Sequence, residues 1–360
     1  MSNDAVEPDC MTVLRMADVT RSYGARDHRR QVVRGLSLTV ERGRIVCLLG
    51  PNGAGKTTTV KMASTLLLPD SGEISVCGVD AIRDPFRARR YLSLLFGGER
   101  GFYARATAID NLRFFARVAG VPCRLIETRV HEALERVNLL DKANERVETF
   151  SRGMCQRLHI ARTLCSKSRL VLLDEPTTGL DPQSALEVRD LIAGLRDEGA
   201  GILLTTHSMP EAEVLADSVN VIREGRIIAV GTVHELSERL RIDGVGMYMD
   251  FDIGDGDHDE GMRRLAALPG VRGVDASSHG GVWSFNLICQ GGEPDLERVR
   301  EAAGLPSLRR LGWRPATLEE LYLALLRTDD NGHVDHVGHV KHGGELTGGN
   351  ADEPAEGEAA

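Results

Sequence analysis

Residues 50–57 read G-P-N-G-A-G-K-T, three glycines, one lysine and one threonine in the spacing G-x-x-x-x-G-K-T. That spacing is phosphate chemistry. Gly50, Gly53 and Gly55 permit tight turns, and without Cβ atoms there the backbone N–H groups can close round an anion. Lys56 brings a point charge to β- and γ-phosphates, and the Thr57 hydroxyl suits Mg²⁺. Pro51, Asn52, Ala54 and Thr58 complete the loop. Apolar "RIVCLLG" (44–50) precedes the motif and helical "TTVKMASTLL" (58–67) follows it, the strand–loop–helix context it requires.

Two acids and a histidine extend the same chemistry. "RLVLLDE" (169–175) puts Asp174 and Glu175 at the carboxyl end of a buried strand, where open α/β sheets place ligand groups. Asp174 can reach Mg²⁺ through a water, leaving Glu175 to deprotonate the water that attacks a γ-phosphate. His207 ends "GILLTTH" (201–207) at that edge and can hold the γ-phosphate or the water by a hydrogen bond. Taken singly, such residues often only mark a strand leaving the core; beside a phosphate loop, chemistry is the better reading. A second anion site is predicted in "TFSRGMCQRLHIARTL" (149–164), where a polar turn opens a helix read from Met154 to Leu164. Free N–H groups and the positive dipole end make such helix starts ready for phosphate.

Positioning these groups requires an α/β frame. Residues 12–235 alternate apolar runs with helical patterns, which predicts a mostly parallel sheet. Its buried strands are 44–50, 91–96, 169–175, 201–207 and 218–222, whose near-continuous apolar runs suit cover on both faces. Residues 107–164 show helical spacing throughout, an all-helical insertion of roughly 60 residues. In it Phe102 and Tyr103 look exposed, while Phe114 and Phe115 fit either a surface or a core role. Beyond residue 242 the order β-α-β-β-α-β-α predicts a small α+β domain, with a ferredoxin-like arrangement as one reading. The expected boundaries are a flexible 1–11, a nucleotide-binding unit at 12–241 with its helical part at about 99–164, a small domain at 242–328, and a disordered tail at 329–360.

Composition narrows the partners. Net charge is −9, which offers no basic footprint for nucleic acid. The seven cysteines are scattered without a C-x-x-C pair, so reduced thiols are expected rather than a zinc site or disulfides. The acidic N-terminus does not read as a signal peptide, and no apolar run approaches the roughly 20 residues that span a bilayer. His333, His336, His339 and His342 recur every third residue in a glycine-rich tail, read as solvated chain rather than metal ligands.

The order "GPNGAGKT", helical insertion, "SRGMCQR", "LLDEPTTGLD", "TTH" resembles the ATP-binding subunits of ABC transporters over about residues 12–235. "FSRGMCQRL" and the "PATLEELYLALL" ending are most similar to single-cassette subunits of drug or antibiotic exporters. The resemblance implies a P-loop NTPase fold that hydrolyses ATP with Mg²⁺ at the cytoplasmic face of a membrane, bound to a separate integral permease. It also implies a head-to-tail homodimer in which Ser151 and Gly153 meet the γ-phosphate held by the partner's loop, with Asp181 linking the two sites. Tyr23 matches the aromatic that stacks on adenine. Arg152 stands where many relatives have Gly, and Met154 where they have Gln. The glutamine expected to sense Mg²⁺ and the permease falls on Gly98, so Glu99 is a candidate substitute ligand. The competing reading is a soluble regulatory or non-transport ATPase of the same type. A single phosphate loop and a short insertion weigh against DNA- or ribosome-acting relatives.

Overall fold

The computed structural model of the chain describes residues 10–24, 29–96, 101–239, 245–252, 258–279, 282–289, 296–303, 308–315 and 317–329. Strands β1 (Thr12–Tyr23), β2 (Arg30–Glu41), β4 (Ser71–Val76) and β5 (Val79–Asp80) form an antiparallel sheet in the order β2-β1-β4-β5. This sheet adds to the parallel one expected from sequence. Its β2, RQVVRGLSLTVE, alternates buried and exposed residues along its second half, the period of a sheet covered on one face.

The central sheet runs β10-β9-β3-β8-β7-β6. It contains β3 (Ile45–Leu49), β6 (Leu92–Phe96), β7 (Leu170–Asp174), β8 (Gly201–Thr206), β9 (Ser218–Arg223) and β10 (Arg226–Gly231). All pairings are parallel except β9 with β10. Every residue of β3, β7 and β8 is buried, because each face has its own cover. Along β7, Val171 and Leu173 enter a core with the helices α3 (Ala108–Val118), α4 (Cys123–Arg136), α5 (Arg152–Ser166) and α6 (Pro182–Asp197). Leu170 and Leu172 enter another with α1 (Lys56–Ala63) and the antiparallel sheet. A short helix, α2 (Pro85–Ala88), precedes β6.

The helical insertion is α3 to α5, where the spacing put it. Thr107 caps α3 by accepting from the Asp110 N–H at 3.2 Å. Ala108, Leu112 and Ala116 recur at i, i+4, i+8 on its buried face. Ser151 caps α5 and accepts from Met154 N at 3.2 Å, so this helix begins at Arg152, two residues before the sequence reading, and runs to Ser166.

Helix α7 (Met209–Leu215) precedes β9, and α8 (Val233–Arg239) follows β10. The remaining elements are β11 (Val245–Asp252), α9 (His258–Ala266), β12 (Val271–His279), β13 (Val282–Cys289), α10 (Leu296–Ala303), β14 (Leu308–Pro315) and α11 (Leu318–Asp329). These four strands pair antiparallel in the order β12-β13-β11-β14. Helix α11 returns to the central sheet, where Leu318, Leu321 and Tyr322 share a core with Ala212, Val219, Val221 and Leu236. Among the described residues no helix is long and apolar enough to cross a membrane. Gly98, Glu99 and the tail histidines lie outside the described residues.

Candidate active site

Strand register brings the chemistry to one edge. In parallel pairing, Leu49 lies beside Thr206 and Asp174 beside Thr205. The residues that follow, Gly50, Glu175 and His207, therefore leave the sheet together at its carboxyl edge, from the consecutive strands β3, β8 and β7.

The phosphate loop is built by close approach. A Cβ on Gly50 would lie 2.3 Å from the Ile222 carbonyl oxygen of β9, so only glycine lets β3 turn into the loop there. Ala54 N–H donates to Pro51 O at 3.2 Å and tightens the turn. Lys56 opens α1 and is buried, its Nζ donating to Gly50 O at 2.7 Å and Pro51 O at 3.2 Å and lying 3.6 Å from Glu175 Oε1. A buried ammonium ringed by loop carbonyls and one carboxylate, at a helix N-terminus, is an arrangement for phosphate.

Asp174 is buried, and its Oδ1 accepts from Thr205 Oγ1 at 2.5 Å and Thr57 Oγ1 at 3.2 Å. This cluster of hard oxygens beside the loop fits Mg²⁺, which favours one or two protein oxygens completed by phosphates and waters. Thr57 and Asp174 are the residues that would hold it. Glu175 follows in a left-handed conformation, φ +52°, and its N–H donates to Thr205 O at 3.0 Å. The turn swings its carboxylate towards Lys56 and His207, whose Nδ1 lies 3.3 Å from Glu175 Oε1. Thr178 Oγ1 donates to Oε2 at 3.2 Å. Glu175 is half-buried, open enough to meet a water and held on both oxygens.

The helix-start residues form a second cluster. Asp181 caps α6, accepting from Ser184 N at 3.0 Å, and hydrogen bonds from the Ser184 hydroxyl and N–H hold its carboxyl below the usual range. A Cβ on Gly153 would sit 2.7 Å from Ser184 Oγ, so the N-termini of α5 and α6 meet at that glycine. Arg152 folds over Gly179, in the turn after Glu175, where a Cβ would lie 2.1 Å from a guanidinium nitrogen. Tyr23 is exposed at the end of β1, with the Arg21 guanidinium 5.3 Å from its ring centroid. The Val32 carbonyl of the paired strand β2 abuts Gly55, which brings that end of the hairpin beside the phosphate loop.

Tyr103, read as exposed, is exposed, and so is Phe114, which the sequence left between surface and core; the two rings meet edge to face at 5.1 Å. Phe102 instead turns inward, because the imidazole of His159 offers it a ring to pack on at 4.2 Å. Sequence reading passed over Thr205, Thr177 and Glu211. The Thr-Thr pair before His207 and the pattern Ser208-x-x-Glu211 were the available signals.

A phosphate loop with two carboxylates and a histidine on one parallel-sheet edge defines a P-loop nucleoside triphosphatase. Residues 33–178 match the family described as ABC transporter. The Nod factor export ATP-binding protein I of Ralstonia nicotianae is 37% identical over 319 residues, 87% of this chain and 93% of that protein. The daunorubicin resistance ATP-binding protein DrrA3 of Streptomyces coeruleorubidus is 40% identical over 224 residues, 61% of this chain and 71% of the relative. The solved structure of an ATP binding subunit of an ABC transporter aligns with TM-score 0.59 at 31% identity, over 65% of this chain and 95% of that one. The chain belongs to the ATP-binding subunits of ABC transporters, and its enzymatic class is ATP hydrolase.

Proposed function

We propose that two copies of this chain pack head-to-tail round two ATP molecules and drive a separate integral permease that exports a drug, antibiotic or other small amphipathic compound. The observation that carries the catalytic part is the cluster of Lys56, Glu175 and His207 at one sheet edge, 3.6 and 3.3 Å apart through the Glu175 carboxylate. Export is supported by the names of the relatives, and a separate permease by the lack of a membrane-crossing helix among the described residues.

Residues 50–58 cradle the phosphates, and Lys56 leaves its carbonyl partners to pair with the β- and γ-oxygens. Thr57 and Asp174 would hold Mg²⁺, which would supply positive charge against those oxygens. Glu175 accepts a proton from water as its oxygen bonds to the γ-phosphorus and the bond to the bridging oxygen breaks, releasing ADP and phosphate. His207 holds the γ-phosphate or the water from the other side of Glu175. Tyr23 stacks on adenine. Ser151 and Gly153 of one protomer meet the γ-phosphate on the other, and Asp181 lies between the sites. Closure round ATP is a ligand-biased population shift that the permease reads as a change of access.

The test is Glu175→Gln in the full chain. Turnover should fall at least ~10²-fold, about 2.7 kcal/mol of barrier, with ATP still bound. Light scattering with Mg²⁺ and ATP should then find a stable dimer that Ser151→Arg abolishes. Wild-type turnover in Glu175→Gln would overturn the assignment of the base, and a monomeric ATP complex would overturn the dimer. A tagged chain recovered from membranes should bring an integral partner with it.

A further inference from the structure

Glu211 has an exposure of 1%, the lowest of any acid among the described residues, and the steps above make no use of it. Burying a carboxylate is costly unless a partner is specifically placed. Its position spells half of a capping box: Ser208 Oγ accepts from Glu211 N at 3.4 Å at the start of α7. The return bond of such a box would join Ser208 N to the Glu211 side chain. Ser208 N–H instead donates to Thr206 Oγ1 at 2.9 Å. The Glu211 carboxylate reaches across to another segment, where Oε1 accepts from Thr177 Oγ1 at 2.6 Å, a short charge-assisted bond.

Thr177 stands two residues after Glu175, inside a turn held by Thr178 N to Glu175 O at 3.3 Å and Leu180 N to Thr177 O at 3.1 Å. His207 stands four residues before Glu211, at the exit of β8. The two exits are therefore linked twice, by His207 with Glu175 and by Glu211 with Thr177. The first link joins groups read as catalytic; the second is partly buried, with its carboxylate almost wholly out of solvent. A left-handed glutamate needs its turn held from outside, because its own backbone preference works against the conformation.

From this geometry we infer that Glu211 is a positioning residue: through Thr177 it fixes the turn that aims Glu175, and so sets the rate of water activation rather than the affinity for ATP. The inference rests on the reading of Glu175 as the base.

The experiment compares purified full-length variants by ATP hydrolysis per titrated site and by binding of a fluorescent ATP analogue. Glu211→Ala and Thr177→Val should each lower kcat at least ~20-fold, with KM and analogue affinity within about twofold. Glu211→Gln and Thr177→Ser keep an acceptor and a donor, and should stay within about threefold of wild type. The apolar pair Glu211→Leu with Thr177→Val removes the buried charge and its partner together, so it should fold while remaining slow. Wild-type kcat in that pair, or a loss carried by KM and analogue affinity alone, would overturn the inference. Glu175→Gln runs alongside: full activity there would overturn the base assignment, whereas an inactive Glu175→Gln beside fully active Glu211 and Thr177 variants would overturn only the positioning role.

Discussion

At Glu175 the backbone is left-handed, φ +52°, a conformation that costs a residue with a side chain about 1–3 kcal/mol. The adjacent acids of "LLDEP" were legible as chemistry because two carboxylates after four apolar residues have few other uses beside a phosphate loop. The dihedral that points one of them away from the other was not, since no local propensity encodes it. Gly153 poses the converse case. Gly→Ala inside a helix ordinarily stabilises by up to ~1 kcal/mol, but here the new Cβ would meet Ser184 Oγ at 2.7 Å and Ser184 Cβ at 3.0 Å, at the N-terminus of α6. Gly153→Ala is expected to lower the melting temperature and cut ATP turnover at least ~10-fold by parting α5 from α6. Adding Ser184→Gly should restore most of both, which calorimetry and a phosphate-release assay will show. Arg152, which stands where many relatives have Gly, lies over Gly179; only the fold of the turn after Glu175 could reveal that neighbour.

Helix α7 is the element on which the molecule's parts converge. One side offers Glu211 to Thr177 in the turn after Glu175, and another offers Glu213, whose Oε1 accepts from Leu318 N at the start of α11. The Thr317–Glu320 pair caps α11 reciprocally, Thr317 N to Glu320 at 2.8 Å and Glu320 N to Thr317 at 3.3 Å. The sequence order β-α-β-β-α-β-α already ended on this helix. It could not say that the helix returns to the nucleotide-binding sheet rather than closing its own small domain. Leu321 is fully buried in the core shared with Ala212, Val219 and Leu236. Leu321→Ala should cost about 2–5 kcal/mol, and hydrogen exchange should show α11 and α7 opening together. Exchange that rises in α11 alone would mean that the two helices are not coupled.

Across the molecule, the seven cysteines are all free thiols, and burial sorts their reactivity. Cys123 is exposed on α4, while Cys47, Cys77, Cys155, Cys165 and Cys289 are buried. Burial pushes the Cys165 thiol up to about 12, with Arg129 opposing, and Cys289 up to about 11. A raised pKa leaves less thiolate at any pH below it, and thiolate is the reacting form. At pH 8 a maleimide should therefore label Cys123 first and half-buried Cys10 more slowly, with the other five following only on unfolding. Mass spectrometry of the timed products checks this; fast labelling of Cys165 would contradict the packing of α5. Motif spacing by itself determined the phosphate loop, the carboxylate pair, the capped helix start at Ser151 and the α/β frame, because each is written in neighbouring residues that obey local rules. Tertiary structure alone decided which strand exits face one another, how Glu175 turns, that Glu211 reaches Thr177 and where α11 docks. The last two contacts join residues 34 and 105 positions apart, and hydrogen-bond geometry at that separation exists only once the sheet has fixed its register.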